Sequence, residues 1–275
     1  MTRKPLISVV MPAYNAEKFA TKSIQSVLDQ TFKNFELIII DDASTDKTLE
    51  IIKNFQKRDP RIKIIKNNTN LKIAQSLNIG IGSARANYIA RMDIDDLAHP
   101  QRLELQYKLL MKNPKVAVVG SNIIIIDEHD TVILKRDYPT DSKELKKIWF
   151  RYSPFAHPAI MIRKSVFKEF GGYKLGIYPC EDIDLWFEIG SKYEFASISK
   201  PLLKYRFNAE SSSHADLKAI EILTLKIRLN ALKKYKYHFT FFDFLYNLIQ
   251  FVTLWIFPSR IRIWFYNFLR SNKYI

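Results

Sequence analysis

Cysteine is almost absent. Cys180 stands alone, which excludes an intramolecular disulfide and any Cys-rich zinc site, and fits a reducing compartment. By itself it reads as a small core residue. Glycine is scarce too, seven in 275 residues. Neither G-x-G-x-x-G nor G-x-x-x-x-G-K-[ST] occurs, so dinucleotide oxidoreductases and P-loop nucleotidases lose their main sequence support. Residues 1–5 run directly into the apolar stretch 6–11, too short for a signal peptide, and export is not expected. Acidic residues are outnumbered, 28 Asp and Glu against 43 Lys and Arg, giving a net charge of +15 and a pI of about 9.6. Such a balance attracts something anionic: nucleic acid, phosphate or a membrane. What is present suffices for a core. With 47% hydrophobic and 26% charged residues the chain is neither a disordered tail protein nor a low-complexity one. At roughly 150 residues per domain, the length suggests one large domain or one with a substantial appendage.

Composition changes near residue 217. Residues 218–275 hold 10 of the Lys and Arg and only 2 of the Asp and Glu, together with 15 of the 37 aromatics and no glycine. Two parts are expected, 1–217 and a basic, aromatic-rich helical tail, 218–275. Within the first, segments 6–11, 35–41, 61–66, 87–92 and 115–120 read as strands, being short, rich in Val and Ile and bounded by turn residues. Helical patterns lie between them near 17–30, 46–57, 72–84 and 100–112. This alternation builds an α/β fold with a mostly parallel sheet covered on both faces. Segments 121–127 and 131–135, joined by Asp127-Glu128-His129-Asp130, read as an added hairpin.

Ligands of open α/β sheets bind beyond the carboxyl ends of the strands. The first strand ends in Pro12-Ala13-Tyr14-Asn15; Tyr14 can stack on a base, or Asn15 can simply cap a turn. The second ends in Asp41-Asp42 before Ala43-Ser44-Thr45-Asp46. A carboxylate there can accept a hydrogen bond from a pyrimidine N–H or a ribose hydroxyl, while Ser44 or Asp46 caps the next helix. The fourth runs into Met92-Asp93-Ile94-Asp95-Asp96. Three carboxylates within four residues repel each other by about 1 kcal/mol or more per close pair at reduced dielectric. A divalent cation resolves the conflict; in an extended segment Asp93 and Asp95 would point the same way, and hard oxygen ligands suit Mg²⁺ or Mn²⁺. Glu181-Asp182-Ile183-Asp184 opens a further helix, either as dipole stabilisation or with a base facing the same cleft. Asn15, Asn78, Glu181, His157 and His214 are weaker candidates, with Tyr205-Arg206 among the polar loop residues that could border the cleft.

In order and context, Ser8-Val9-Val10-Met11-Pro12-Ala13-Tyr14-Asn15, Asp41-Asp42-Ala43-Ser44-Thr45-Asp46, Ala90-Arg91-Met92-Asp93-Ile94-Asp95-Asp96 and Glu181-Asp182 resemble the family 2 inverting glycosyltransferases of GT-A fold, over about residues 5–215. The resemblance implies a Rossmann-like catalytic domain and a nucleotide-sugar donor, of which a UDP-sugar is the first expectation. Pro12, Ala13, Tyr14, Asp42 and Asp93 would surround the nucleoside, Asp95 would bind the metal (Mn²⁺ or Mg²⁺), and Asp182 would be the catalytic base. It further implies transfer of one hexose to a glycan or lipid-linked acceptor in surface polysaccharide or lipooligosaccharide assembly. A non-catalytic nucleotide-sugar-binding protein of the same fold is the alternative. The Gln-x-x-Arg-Trp motif and long membrane helices of polymerising members are missing, which disfavours a processive synthase. His214 would lie on the flexible loop of single-addition members.

In the tail, residues 239–257 look like a membrane span until Thr240, Asp243, Asn247, Gln250 and Thr253 are seen to recur on one helical face. Ile261, Trp264, Phe265, Phe268 and Leu269 follow at helical spacing beside Arg260, Arg262, Arg270 and Lys273. The pattern suits attachment to an anionic membrane surface, peripheral on the cytoplasmic face of the cell membrane. A helix packed on the catalytic domain or a dimer contact is the other reading. Nucleic acid is not expected as a partner, because the aromatics follow an apolar helical face and form no stacking platform on a sheet.

Overall fold

A computed structural model describes residues 4–207, 217–258 and 261–262. The first half is the expected alternation: β1 (Ile7–Ala13), α1 (Ala20–Leu28), β2 (Phe35–Asp41), α2 (Thr48–Gln56), β3 (Ile62–Lys66), α3 (Lys72–Ser83) and β4 (Tyr88–Arg91). Strands β3, β2, β1 and β4 lie side by side in that order, all parallel. Every residue of β2 is buried, as a strand covered on both faces requires. Leu37 and Ile39 pack with Ile24, Val27 and Ile52 of α1 and α2, while Ile38 and Ile40 pack with Ala74, Leu77 and Ile81 of α3. Gly80 allows α3 to approach so closely: a Cβ there would stand 2.6 Å from side-chain carbons of both Ile40 and Val10.

Beyond β4 the sheet turns antiparallel. It continues through β8 (Met161–Arg163), β6 (Val116–Ile126), β9 (Glu194–Arg206) and the two-residue β5 (Leu97–Ala98), and β7 (Val132–Arg136) pairs with β6. Helices α4 (Arg102–Lys112), α5 (Ser142–Ile148), α6 (Lys164–Glu169) and α7 (Glu181–Gly190) cover this half. The expected hairpin is present as β6 and β7. The separate strands expected at 115–120 and 121–127 form one strand of 11 residues. Gly120 reads as a terminator but is buried mid-strand, where the Phe155 ring fills the space its Cβ would need. Strand β9 did not show in the pattern. Its parallel partner β6 lies some 80 residues earlier, and Ser197, Ser199 and Pro201 break its run of apolar residues.

Helix α8 (Leu217–Lys234) and helix α9 (Phe241–Ile256) complete the described chain. Residues 220–239, which composition assigns to a separate tail, contribute to the main core. Ile227 and Ala231 are buried in the cluster that contains Trp149, Phe150 and Phe187. The Cys180 Sγ lies 3.6 Å from the Thr224 hydroxyl, Tyr237 donates to the Phe187 carbonyl at 2.7 Å, and the rings of Phe239 and Phe150 are 5.0 Å apart. A chain cut after residue 217 therefore exposes α7 and its aromatics. Burial of Leu225 and Ile227 alone is worth about 1.5–3 kcal/mol each, against a total stability of about 5–15 kcal/mol. We expect the 1–217 fragment to accumulate insoluble or to melt at least about 10 °C lower. A fragment ending at residue 239, which keeps α8, Tyr237 and Phe239, should recover most of that loss, as thermal melts of the two fragments would read.

Candidate active site

Three adjacent parallel strands, β2, β1 and β4, bring their carboxyl ends together, so the residues read from strand ends share one cleft edge. The loops after β1 and β2 are tied to each other. Asn15 (φ 46°) and Ala43 (φ 60°) both take left-handed backbone, and the Asn15 Oδ1 accepts from the Thr45 N–H at 2.9 Å. Ser44 accepts from the Asn15 N–H at 3.2 Å. Asp46 accepts from the N–H groups of Thr48 and Glu17, at 2.9 and 3.0 Å. Asn15 and Ser44 thus shape the edge, while Asp46 serves the start of α2. Pro12 and Ala13 end β1, and Tyr14 projects 48% exposed, open to a flat ring. Asp42 is buried, its Oδ1 accepting from Asn67 Nδ2 at 2.7 Å and from the Leu71 N–H at 2.9 Å.

The acid segment after β4 is a turn. Asp93, Asp95 and Asp96 fold around residues 94–95 instead of continuing as the extended segment expected, and one carboxylate oxygen of each lies within 4.8 Å of the others. What bends the chain is Arg206, at the end of β9 and almost wholly buried. Its N–H donates to Asp96 Oδ1 at 2.8 Å, its Nε to the Asp95 carbonyl at 2.9 Å, and its guanidinium pairs with Asp130 at 2.6 Å. Burial and the Asp93 charge push Asp95 up to about 7. Burial and the Asp95 charge push Asp96 up as well, and Asp96 Oδ2 meets no donor among the described residues. Repulsion among closely spaced carboxylate oxygens is what a hard divalent cation removes, so these donors fit Mg²⁺ or Mn²⁺.

Arg91 is the cation already there. It is buried at the end of β4, pairs with Asp93 at 2.7 Å and is braced through its carbonyl by Arg102 at 2.5 Å. From it the site extends to α7. Burial raises Asp182 to about 6, opposed by the Ile183 N–H and the charge of Arg91. Burial together with the Asp182 charge raises Glu181 to about 7, and its Oε2 has no partner among the described residues. Two carboxyls poised near neutrality at a helix start are more than dipole stabilisation requires.

The weaker candidates separate. His157 is not at the open cleft: its ring lies between Tyr173 and Trp186, its Nε2 is 2.7 Å from the Tyr173 hydroxyl, and burial and Arg91 hold it neutral. Asn78, on α3, clasps the backbone of Tyr173 from both sides, at 2.8 and 2.9 Å, and so fixes the loop leading to α7. His214 lies outside the described residues. Arg91, Asn67 and Tyr173 were missed by the reading of acids at strand ends. Arg91 could have been found as a lone cation preceding three carboxylates.

The sequence model of the family described as "Glycosyl transferase family 2" matches residues 8–171. The chain belongs to this family. A putative glycosyltransferase EpsE of Bacillus subtilis is 39% identical over 217 residues, 77% of this chain and 76% of that protein. The O-antigen biosynthesis glycosyltransferase WbnJ of Escherichia coli is 34% identical, over 81% of this chain and 88% of that one. Among solved structures, S. aureus TarS in complex with UDP-GlcNAc superposes with a TM-score of 0.69 at 18% identity, over 84% of this chain and 67% of that chain. The mannosyltransferase PcManGT of Pyrobaculum calidifontis, in complex with GDP-Man and Mn2+, gives 0.62 at 17% identity, over 92% and 70%. The fold of this glycosyltransferase is thus GT-A: a curled central sheet flanked by helices.

Proposed function

We propose that this glycosyltransferase moves one sugar, a hexose, from a nucleoside diphosphate donor to a hydroxyl of a glycan or lipid-linked acceptor, with inversion at the anomeric carbon. The observation that carries the reading is the acid turn (Asp93, Asp95, Asp96) and the raised carboxylate on α7 (Asp182), both within the field of Arg91, beside the edge that the ends of the neighbouring strands β1 and β2 form (Pro12, Ala13, Tyr14, Asp42). Tyr14 offers its face to the base and Asp42 an acceptor to a pyrimidine N–H, which makes a UDP-sugar the first donor to test; Asp93 borders the ribose. Asp182 takes the proton of the acceptor hydroxyl as that oxygen bonds to the anomeric carbon and the bond from that carbon to the diphosphate oxygen breaks, its electron pair leaving with the diphosphate. A divalent cation held by Asp95, with Asp93 and Asp96 beside it, would offset the diphosphate charge. One displacement needs no covalent nucleophile, and Cys180 is buried with its thiol raised by burial to about 11, unsuited to that role. The same reading takes the enzyme to work in the cytoplasm, at the inner face of the cell membrane, in surface polysaccharide or lipooligosaccharide assembly; the relative WbnJ is named for O-antigen biosynthesis.

Purified protein incubated with a panel of nucleotide sugars and Mn²⁺ or Mg²⁺ tests this. We expect acceptor-dependent release of nucleoside diphosphate from one donor. Tight donor binding with no release from any donor under any acceptor would favour the non-catalytic binding protein.

A further inference from the structure

Helix α9 is inside out. The recurring polar stripe read from its sequence faces the protein, and the apolar face looks outward. Asp243, 2% exposed, pairs with Arg151 at 3.1 Å and closes a capping box with Thr240. Asn247 donates to the Phe150 carbonyl at 2.8 Å, and the buried Arg228 donates to Asn247, to Gln250 and to the Arg151 carbonyl at 3.0, 2.9 and 2.7 Å. Leu254 alone among the apolar residues of α9 is buried. Outward stand Phe241, Phe242, Phe251, Trp255 and Ile256, the first two nearly three-quarters exposed. Water does not reward such a face, and a contiguous apolar surface on a protein that spends its polar groups inward marks a contact surface.

We infer that the outward face of α9 seats in the interfacial layer of an anionic phospholipid bilayer and holds the proposed base, Asp182, beside a lipid-linked acceptor. The second clause rests on the transfer function proposed above. Charge selects this occupant. The only charged residue of α9, Asp243, is turned inward, so the face carries no carboxylate. Exposed Lys236 and His238 precede it, and at its other end the Lys218 ammonium stands 4.0 Å over the Trp255 ring. A second copy would bring another molecule of net charge +15 against the first, which opposes self-association. Length sets the orientation. Sixteen residues span about 24 Å, short of the ~30 Å hydrocarbon core, and no helix among the described residues is long and apolar enough to cross a membrane. The helix therefore lies along the interface, its aromatics among the acyl chains and the protein body hung from its polar side.

The same geometry points the ridge at the site. Lys218, over Trp255, opens α8; two residues on, the Ile220 carbonyl is 3.8 Å from the Cys180 Sγ, and Asp182 follows Cys180 by two residues on α7. The end of the apolar ridge is thus next to the segment that carries the proposed base. An acceptor hydroxyl presented from a bilayer surface arrives on that side.

The test uses the full-length protein, without donor or acceptor, and vesicles of phosphatidylcholine with or without 30 mol% phosphatidylglycerol (about one charge in three lipids, enough for an anionic surface potential). We expect co-sedimentation with the anionic vesicles, at least about tenfold weaker for the double variant F242E/W255E and weaker in high salt, because exposed charges are screened. The substituted side chains are exposed, so the melting temperature should hold; if it falls, F241S/F251S takes the place of that variant. Equal sedimentation of wild type and variant, none from either, or a wild-type dimer in sedimentation velocity that the variant dissociates would overturn the bilayer assignment. Vesicle binding stands or falls without any sugar transfer, so its outcome is separate from that of the proposed function. The acceptor clause is read afterwards: transfer to a glycan on a lipid anchor should exceed transfer to the same glycan free in solution by about tenfold in kcat/KM, and equal rates would remove that clause.

Discussion

Asp182→Asn is expected to keep donor affinity within a few-fold and to lose about 10²–10⁴ in kcat, the range for removing a general base. The amide preserves the size and polarity of the side chain at the start of α7 and removes only its capacity to take a proton. In the proposed function the donor is held elsewhere, by the ends of β1 and β2 and the acid turn, so its binding has no reason to change. The pH profile supplies a second readout. Burial pushes Asp182 up to about 6, and a base works only when ionised, so wild-type turnover should fall with decreasing pH below about 6 and level off above it. A bound cation would draw this limb lower by favouring the carboxylate. The residual activity of the variant should lack the limb. A variant that binds donor poorly yet turns over normally at saturation would assign Asp182 to donor recognition instead.

Removing the proposed cation, or the side chain proposed to hold it, should be as severe. EDTA is expected to abolish transfer, and Asp95→Ala to lose the metal-dependent part of donor binding. Stability gives an independent reading. In the wild type three carboxylates lie within 4.8 Å of one another, and Asp96 has a buried oxygen with no donor among the described residues. Mn²⁺ at about a hundred times its dissociation constant stabilises the form that binds it by about 2.7 kcal/mol, on the order of 5 °C in Tm for a chain of this size. Asp95→Ala should show little of that rise. In EDTA it should melt at or above the wild type, because one of the repelling charges is gone. Full transferase activity in EDTA would sink the metal role.

How much of this was legible in the sequence depended on the range of the interaction that wrote each signal. The β1–β4 half was legible because its strands are short runs of Val and Ile, such as 35–41, separated by amphipathic helices, and adjacent parallel strands need no other information. The acids at 42, 93 and 95 were legible as neighbours because open sheets place their strand ends on one side; Asp182, at a helix start, was singled out by its acidic cluster and by the family resemblance. Three decisions belong to the tertiary structure. The acid cluster is a turn, because Arg206 reaches it from β9, more than a hundred residues away, and a contact of that span leaves no local pattern. Arg91 became the centre of the site only when β4 carried it, buried, between the acid turn and α7. The amphipathicity of α9 was plain in its spacing, but periodicity has no sign. Whether the polar stripe meets water or protein was settled by the half-buried Arg151 and the buried Arg228, two cations that needed its Asp243, Asn247 and Gln250, and that left the aromatic face outside.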